Sequence, residues 1–426
     1  MSISSGSKEP VTQAVNEFLA FLVSEHPKIR KLVIALSGGK DSVCLLNALS
    51  KHAKNFVLQA VYIDHGLQAE SLEWGTFNQE LCETLGINYS SVKVVVNRRQ
   101  ASLEQAARNA RYQALSQFVD AQSCLVTAQH QDDQAETVLL QLLRSAGVKG
   151  LSAMPYSKCF AAGWHARPLL KVSQDAIADY IQKYQLKHIE DNSNQDIAFS
   201  RNFLRHKIIP ELSKHWPQVS ETLANSAENF AATQLLLEEL AQLDYQDAFD
   251  QSRLDISKLE VLSSERQSNL LRYWFAKFNI KMPSRVLLQE IKSQFLNTQS
   301  DINPCIDIEA YQLRRYKNHI YLLSDPLEKF NPSQEWQWTL TNNFNGANKQ
   351  TILVKDVLEM WPELRDQQVI VRYRAEGDKF YHPNKEHGQT LKNYFQENDV
   401  PSWLRASALL VVYQGKVIFV QKRKLL

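Results

Sequence analysis

Short apolar runs alternate with amphipathic segments between about residue 30 and residue 150. Each run has the length of a buried strand, and the runs are Leu32–Leu36, Phe56–Ile63, Val92–Val96 and Cys124–Ala128. The intervals carry helical patterns at Val43–Leu49, Phe77–Leu85, Ser102–Phe118 and Asp132–Ser145, with Gly86 and Gly147 as stop signals. These repeated units predict an α/β fold in which helices cover both faces of a doubly wound parallel sheet.

The pattern changes after about residue 213. Good helix formers dominate Glu228–Leu243 and Ser268–Phe278, and a β-like stretch follows at Ala310–Leu323. Proline-containing segments at Ser324–Pro326 and Asn331–Ser333 indicate a linker. The tail predicts strands at Val369–Arg374 and at Lys416–Val420, after a Gln414-Gly415 turn, with an apolar segment at Trp403–Val412. We therefore expect three domains: residues 1–212, a mainly helical domain at 213–330, and a small α+β domain at 331–426.

Composition narrows the possible classes of protein. The 426 residues are too many for one ordinary core, and 44% hydrophobic with 22% charged residues is typical of soluble globular proteins. We expect a cytoplasmic protein without a membrane partner, because no long apolar run and no signal-peptide core occur. The five cysteines form no C-x-x-C pair, which argues against zinc, iron–sulfur and disulfide sites. Net charge is only +2, but residues 365–426 hold a local excess of Lys and Arg.

The loop Ser37-Gly38-Gly39-Lys40-Asp41-Ser42 directly follows the first predicted strand and opens a helix. Its glycines allow a sharp turn close to a ligand, and the helix N-terminus offers N–H groups and a positive dipole end to an anion. The spacing differs from both the Walker A loop and the dinucleotide-binding turn. The segment therefore predicts a phosphate site of another kind, with a plain serine-capped turn as the structural alternative.

A second polar segment, His130–Glu136, lies where the fourth predicted strand ends and a helix begins. Asp133 and Glu136 are i,i+3 and Asp132 and Glu136 are i,i+4, so each pair can share a helix face. Such oxygens suit the magnesium ion of a bound triphosphate, although acids at a helix N-terminus also simply complement its dipole. Because strand ends meet at one edge of a parallel sheet, we expect Ser37, Asp64 and His130 to come together.

The loop resembles the pyrophosphate loop (PP-loop) of the N-type ATP pyrophosphatase superfamily, whose members split ATP between its α and β phosphates. With the His130 segment, the chain resembles the tRNA(Ile)-lysidine synthase branch of that superfamily. The other matching segments are Ile63–Leu67, Glu104–Tyr112, Arg167–Leu170, Glu190–Asn194, Arg201–Arg205, Arg374–Asp378, Leu391–Phe395 and Pro401–Arg405. The resemblance covers nearly the whole chain and is most specific in residues 33–205.

The resemblance implies an adenine nucleotide alpha hydrolase-like first domain. It also implies ATP-dependent ligation of L-lysine to C2 of cytidine 34 in tRNA(Ile) with a CAU anticodon, through an adenylated cytidine, with AMP and pyrophosphate as by-products. ATP and Mg²⁺ are the implied cofactors, and tRNA(Ile) and L-lysine are the implied partners. Whether the chain is a monomer or a homodimer stays open.

The resemblance also implies roles for individual residues. The implied catalytic residues are Lys40, Asp41, Arg111, Asp132, Asp133 and Glu136, with Asp132 or Glu136 as the base for the lysine amine. ATP binding is implied for Ser37, Gly38, Gly39, Lys40, Asp41, Ser42, His65 and His130, and magnesium binding for Asp41 and Asp133. Contacts to tRNA are implied for Arg108, Arg201, Asn202, Arg205, Arg374, Lys392 and Arg405.

Several of these residues have structural alternatives. Arg108 could pair with Glu104 on a solvated helix face, and His65 could only cap a strand loop. Arg201 and Arg205 could form surface ion pairs with Glu190 or Asp191. The tail aromatics, such as Phe395 and Trp403, fit core packing more readily than base stacking.

Three other functions compete with lysine ligation. A tRNA sulfur transferase of the same superfamily needs positioned cysteines or a cluster. A small-molecule ligase would not use the two domains that follow residue 213. A non-catalytic RNA-binding module would keep its function in an Asp41→Ala variant, because it has no use for the loop and carboxylates.

Overall fold

The computed structural model describes residues 9–66, 71–95, 103–191, 195–250, 253–296, 304–323, 331–346, 351–383 and 387–421, apart from the side chains of residues 103, 104 and 250. The chain divides into two compact units, residues 1–236 and 237–426. Predicted features at Leu67, Val96, Ser102, Asn192–Asn194 and Ser324–Pro326 lie outside the described residues.

The first unit is built on a six-stranded sheet in the order β3-β2-β1-β4-β6-β5. The strands are β1 (Lys31–Ala35), β2 (Val57–Asp64), β3 (Asn88–Lys93), β4 (Ser123–Val126), β5 (Ser157–Phe160) and β6 (Gly163–Ala166). Five strands are parallel, with Lys31 of β1 beside Val57 of β2 and Ser123 of β4, while β5 runs antiparallel to β6 at one edge.

Helices cover both faces of this sheet. They are α1 (Pro10–Glu25), α2 (Lys40–His52), α3 (Ser71–Leu85), α4 (Leu103–Ser116), α5 (Gln131–Leu143), α6 (Val148–Leu151), α7 (Gln174–Lys183), α8 (Ser200–Phe203), α9 (Ile209–His215) and α10 (Val219–Ala248), with a π-helical turn at Leu204–Ile208. One core joins α1, α2 and α7 through buried residues such as Phe18, Leu45 and Tyr180. A second core packs Leu115 of α4 against Val33 and Leu125 of the sheet. The predicted doubly wound α/β fold is confirmed.

Some local predictions in this unit are wrong. The third strand covers Asn88–Lys93 rather than starting at Val92, because this strand is half-exposed and mostly polar, so a search for apolar runs does not find it. Gly147 does not stop α5, which ends at Leu143 with Arg144 as its cap; Gly147 instead precedes α6. The β5–β6 hairpin was not predicted, and it makes the sheet mixed rather than wholly parallel.

The second unit contains two main sheets. The first has the order β7-β8-β11-β10-β9, from β7 (Phe249–Asp250), β8 (Arg253–Asp255), β9 (Cys305–Ile308), β10 (Tyr311–Tyr316) and β11 (His319–Leu323). The second has the order β12-β15-β18-β19-β16-β17, from β12 (Glu335–Thr339), β15 (Gln368–Tyr373), β16 (Lys379–Phe380), β17 (Gln389–Thr390), β18 (Leu409–Tyr413) and β19 (Lys416–Val420); β13 (Phe344–Asn345) pairs with β14 (Thr351–Ile352).

Helices of the second unit pack against these sheets. They are α11 (Ile256–Glu260), α12 (Ser264–Lys277), α13 (Arg285–Ile291), α14 (Val354–Met360), α15 (Leu391–Glu397) and α16 (Ser402–Arg405), with a π-helical turn at Lys292–Leu296 and a 3₁₀ turn at Pro362–Leu364. Trp274 and Phe275 of α12 are fully buried in the core with Leu313 and Ile320. The predicted Gln414-Gly415 turn joins β18 to β19, and both residues have positive φ angles.

The predicted helical content and the α+β tail are confirmed. The domain boundaries at residues 212 and 330 stay predictions. No helix in the described part of the chain is long and apolar enough to cross a membrane.

Candidate active site

The loop between β1 and α2 has the conformation of an anion cradle. Gly38 has a φ of 86°, and a β-carbon there would collide with the side chain of Ile189. The hydroxyl groups of Ser37 and Ser42 lie 3.1 Å apart, and Ser42 Oγ donates to the Gly39 carbonyl at 2.9 Å. Gly39 caps α2 without a side chain, so the first N–H groups of the helix stay available to a phosphate.

Two residues from other parts of the chain, Ile189 and Asn78, contact this loop at Gly38. The N–H of Ile189 donates to the Gly38 carbonyl at 2.9 Å. Asn78 of α3 is fully buried beside Gly38, and neither its Oδ1 nor its Nδ2 has a hydrogen-bond partner among the described residues. A buried amide without partners is costly, so Asn78 is placed to bond the loop or its ligand. Sequence reasoning missed Asn78, since one asparagine in an amphipathic helix carries no local signal.

His130 brings three carboxylates together at the start of α5. It is 1% exposed, and its Nε2 lies 3.8 Å from Asp41 Oδ2 and 3.6 Å from Asp133 Oδ2. Its Nδ1 lies 3.7 Å from Asp132 Oδ2, and its backbone N–H donates to Asp133 Oδ2 at 3.1 Å. The end of β4 is therefore beside the loop that follows β1, as the meeting of strand ends predicts.

Asp41 and Asp133 form an acidic pair beside the loop. Burial raises the pKa of Asp41, and Asp133 raises it further, while His130, Lys40 and Arg205 act in the opposite direction. Asp41 Oδ1 is buried and has no hydrogen-bond partner among the described residues. An orphaned hard oxygen beside a second carboxylate fits Mg²⁺. In the described part of the chain no three His, Cys, Asp or Glu side chains form a complete metal site, so phosphate oxygens would have to supply further ligands.

Glu136 is held by the two arginines that follow α7. Arg205 Nε donates to Glu136 Oε1 at 2.6 Å, and Arg201 Nε lies 3.2 Å from Glu136 Oε2. Arg205 also donates to Asp133 Oδ1 at 2.8 Å. Glu136 is fully buried, and burial raises its pKa although both arginines oppose this. Both arginines, expected either on tRNA or in surface pairs with Glu190 or Asp191, thus contact the acidic cluster.

Asp132 connects three helices. Its Oδ2 accepts from the Gln174 N–H of α7 at 3.1 Å, and its Oδ1 accepts from Ser220 Oγ of α10 at 2.7 Å. Asn202, another expected tRNA contact, donates from its side chain to the Asp196 carbonyl at 2.9 Å.

The end of β2 contributes a turn and a half-buried imidazole. Asp64 is buried, and its Oδ1 accepts from the Gly66 N–H at 2.8 Å. Burial lowers the pKa of His65, and the nearby charge of Arg111 lowers it further. Arg111 itself lies with Arg108 against the ring of Tyr112, at 5.6 and 4.9 Å from guanidinium carbon to ring centroid. Arg111 therefore lies near His65, at the end of β2, and also near Arg108 on its own helix.

In the second unit the predicted tail residues fall in two places. Arg374 and Lys392 are exposed beside α15, with the Arg374 guanidinium 5.9 Å from the Phe395 ring. Arg405 is engaged elsewhere: its Nε donates to the Val400 carbonyl at 2.9 Å, and its Nη2 donates to the Tyr316 hydroxyl at 3.3 Å. Phe395 and Trp403 are buried, which agrees with core packing rather than base stacking.

Comparisons with known proteins agree with this geometry. Residues 9–212 match the PP-loop domain, residues 254–321 the TilS substrate binding domain and residues 369–424 the TilS substrate C-terminal domain. A protein of Legionella pneumophila (strain Lens) named tRNA(Ile)-lysidine synthase is 36% identical over 393 residues, 91% of this chain and 90% of the relative. This chain belongs to the tRNA(Ile)-lysidine synthase family.

Membership of the tRNA(Ile)-lysidine synthase family confirms the resemblance seen in the motifs. A second relative of that name, from Vibrio campbellii (strain ATCC BAA-1116), is 34% identical over 432 residues, 95% of this chain and 94% of the relative. Among solved structures, the U34-tRNA thiolase NcsA from Methanococcus maripaludis aligns over 51% of this chain and 77% of that chain, at 20% identity and a TM-score of 0.43. That likeness is too slight to bear on function.

Proposed function

We propose that this chain joins L-lysine to C2 of cytidine 34 in tRNA(Ile) with a CAU anticodon, using ATP and releasing AMP and pyrophosphate. The observation that carries the proposal is the juxtaposition of the anion-binding loop with Asp41, His130 and Asp133 at one edge of the sheet, in a member of the tRNA(Ile)-lysidine synthase family. The proposal includes a cytoplasmic location, which its tRNA substrate supports.

The first step forms an adenylated cytidine. The C2 carbonyl oxygen of the base attacks the α-phosphorus of ATP, the bond from that phosphorus to the β-phosphate bridging oxygen breaks, and pyrophosphate leaves. The N–H groups after Gly39, with Ser37 and Ser42, are placed to receive the leaving pyrophosphate. Lys40 and Arg111 would neutralise charge that builds on the phosphates.

Asp41 and Asp133 would hold Mg²⁺, since their oxygens are hard donors beside the loop. When bound, the ion supplies charge neutralisation on the phosphate oxygens. His130 lies between the two carboxylates, with its Nε2 within 3.8 Å of both. Its predicted contact with the nucleotide stays part of the proposal.

The second step replaces AMP with lysine. The ε-amine attacks C2, the C2–O bond breaks, AMP leaves with that oxygen, and the amine loses a proton. Asp132 and Glu136 are the two candidate acceptors of that proton. Asp132 has both oxygens bound between α7 and α10, and Glu136 has both oxygens bound by Arg205 and Arg201. Burial raises the pKa of Glu136, which favours proton uptake by that carboxylate.

The exposed cations Arg374 and Lys392 are proposed to contact tRNA phosphates, which agrees with the basic bias of the tail. Sulfur transfer is the weaker alternative, because the family relatives carry a ligase name. Cys44, Cys82 and Cys124 are buried in the core, and the exposed Cys159 and Cys305 belong to different units of the chain.

Incorporation of labelled lysine into a tRNA(Ile) transcript tests the proposal. We expect incorporation that requires ATP and C34, recovery of a lysine–cytidine nucleoside after digestion, and loss of product with a U34 transcript. An Asp41→Asn variant should lose at least about 100-fold in rate, because it removes a charged ligand of the proposed Mg²⁺ ion, which would neutralise the reacting phosphates. Absence of lysine from RNA that has nonetheless consumed ATP would overturn the proposal.

A further inference from the structure

A second cationic cluster lies at the same edge of the sheet, beyond β4. We define it as Arg108 and Tyr112 of α4, Lys158 of β5, His165 of β6, and Arg167, which follows β6. Because β5 runs antiparallel to β6, Lys158 lies directly beside His165, close to the carboxyl end of β6. The chain thus brings three cations from two distant segments to one place.

Contacts join the members of the cluster. The Arg108 guanidinium lies 4.9 Å from the centroid of the Tyr112 ring, and that ring lies 5.6 Å from the His165 ring. Arg167 Nη2 lies 3.4 Å from His165 Nδ1, and His165 Nε2 lies 2.8 Å from Thr127 Oγ1. The cluster is therefore one connected group of side chains, in which His165 and Arg167 are buried, Arg108 and Tyr112 are half-buried and Lys158 is exposed.

Among the side chains that the structure describes, no carboxylate pairs with the cations of this cluster. In the part of the chain that the structure describes, Arg108, Lys158 and Arg167 form no ion pair with Asp or Glu. Arg167 is 2% exposed; its Nη1 donates to the Pro155 carbonyl at 2.7 Å, but its Nε has no hydrogen-bond partner among the described residues. A buried guanidinium without a counter-ion is costly, which indicates that an anion is missing.

The titrating groups around the cluster respond to the same positive potential. Burial alone would raise the pKa of Tyr112, yet the nearby arginines and Lys158 lower it below its usual value. Burial, together with Arg167 and Lys158, lowers the pKa of His165 to about 2, so this imidazole stays neutral. Burial and then Arg167 lower the pKa of Lys158. The lowered pKa of Tyr112, which runs against the effect of burial, agrees with a positive potential at the cluster.

We propose that this cluster binds a backbone phosphodiester of the substrate RNA next to the target nucleotide, an inference that rests on the function proposed above. The phosphates of ATP already have a loop at the end of β1, where α2 packs on the other face of the sheet from α4. Lys158 is exposed on the edge strand β5, where a polynucleotide has access. Arginine and lysine donors suit a phosphodiester oxygen, and Tyr112 offers a ring face to a neighbouring base.

Lys158→Gln in the full chain is the first test, because this side chain is exposed and makes no hydrogen bond or ion pair within the described ranges. We expect the affinity for a tRNA(Ile) transcript to fall about three- to tenfold, and the slope of log affinity against log salt to lose about 0.7 to 1, because one phosphate contact is lost. Lys158→Arg should restore both. The affinity for α,β-methylene ATP should not change.

Lys54→Gln is the matched control, because Lys54 is exposed between α2 and β2, at the opposite end of the strands. It should leave RNA affinity and its salt slope unchanged. Equal losses in both glutamine variants would overturn the proposal, as would unchanged RNA binding in Lys158→Gln. A loss confined to ATP affinity would also overturn it and assign the cluster to the nucleotide. Lysine incorporation by the wild-type chain, run in parallel, shows separately whether the proposed function fails.

Discussion

Arg205 and the fully buried Glu136 form an ion pair 69 positions apart in the chain, with Arg205 Nε 2.6 Å from Glu136 Oε1. The same guanidinium reaches Asp133 at 2.8 Å, so one side chain fixes two carboxylates of the candidate site. Burial lowers the pKa of Arg205, but Glu136 and Asp133 outweigh that effect and raise it. The segment after α7 therefore determines the geometry at the start of α5.

Replacing Arg205 with alanine should reduce the free energy of unfolding by about 3 kcal/mol, because Glu136 would be left buried without its main partner. The double variant Arg205→Met/Glu136→Gln should recover part of this loss, since position 136 then no longer carries a buried charge. Urea unfolding of the full chain, followed by circular dichroism, measures both. Arg144→Ala is the control, because Arg144 is an exposed cation at the C-terminal cap of α5, and it should have little effect on the free energy of unfolding. Equal stability of Arg205→Ala and Arg144→Ala would contradict this role of the pair.

A methyl group at Gly38 should disable the loop. Gly38→Ala combines an unfavourable φ of 86° with a collision against Ile189, so the loop must shift and the bound phosphates with it. We expect kcat/KM for ATP to fall about 100-fold or more, as for other displacements of a reacting group by about 1 Å. Gly86→Ala has a similar positive φ of 67° but open space around it, so it should cost about 1 kcal/mol of stability and leave kcat/KM intact. Equal kcat/KM values for ATP in Gly38→Ala and Gly86→Ala would refute this role of Gly38.

The tail should show an acid-dependent loss of stability. Arg372 donates to both oxygens of Asp378 at 2.7 and 2.8 Å, and the Ala375 N–H adds a third bond. Burial alone would raise the pKa of Asp378, but these bonds outweigh it and hold the pKa below its usual 3.8. The stabilisation is therefore present above that value and is lost as pH falls through the lower, folded-state pKa.

The Asp378→Asn variant should therefore unfold at a lower urea concentration than the wild type at pH 7. Its free energy of unfolding should be lower by about 1–3 kcal/mol. The difference should shrink as the pH falls below 3.8, where the wild-type carboxyl becomes protonated. Urea midpoints measured at a series of pH values give both curves. A difference that stays constant down to the lowest pH would show that the carboxylate charge contributes nothing.

Arg405 and Lys392 should respond differently to alanine substitution. Arg405 bonds Val400 and Tyr316, so Arg405→Ala should lower the melting temperature of the second unit and leave the salt dependence of tRNA binding intact. Lys392 is exposed, so Lys392→Ala should instead weaken tRNA binding and reduce the salt slope by about 1, at unchanged melting temperature. Filter binding of tRNA at several salt concentrations distinguishes the two variants. A reduced salt slope in Arg405→Ala would show that Arg405 contacts tRNA after all.

Local patterns predicted much of the first unit. The loop after β1 and the acids after β4 were placed together from the sequence because the carboxyl ends of parallel strands share an edge. Contacts between residues far apart in the chain could not be predicted. The sequence around Arg205 does not indicate that Glu136 is its partner, and the sequence around Asn78 does not indicate that this residue lies beside Gly38. The β5–β6 hairpin was missed because its strands have four residues each and alternate weakly between apolar and polar positions.

The most direct test of the central claim is release of labelled pyrophosphate from γ-labelled ATP, with the tRNA(Ile) transcript and L-lysine each present or omitted. We expect release that requires the transcript and does not require lysine for a first turnover, because adenylation of the base precedes attack by the amine. Added lysine should then turn that burst into continuous release and appear in the RNA. Release of orthophosphate instead of pyrophosphate, or pyrophosphate release that ignores the transcript, would contradict the account.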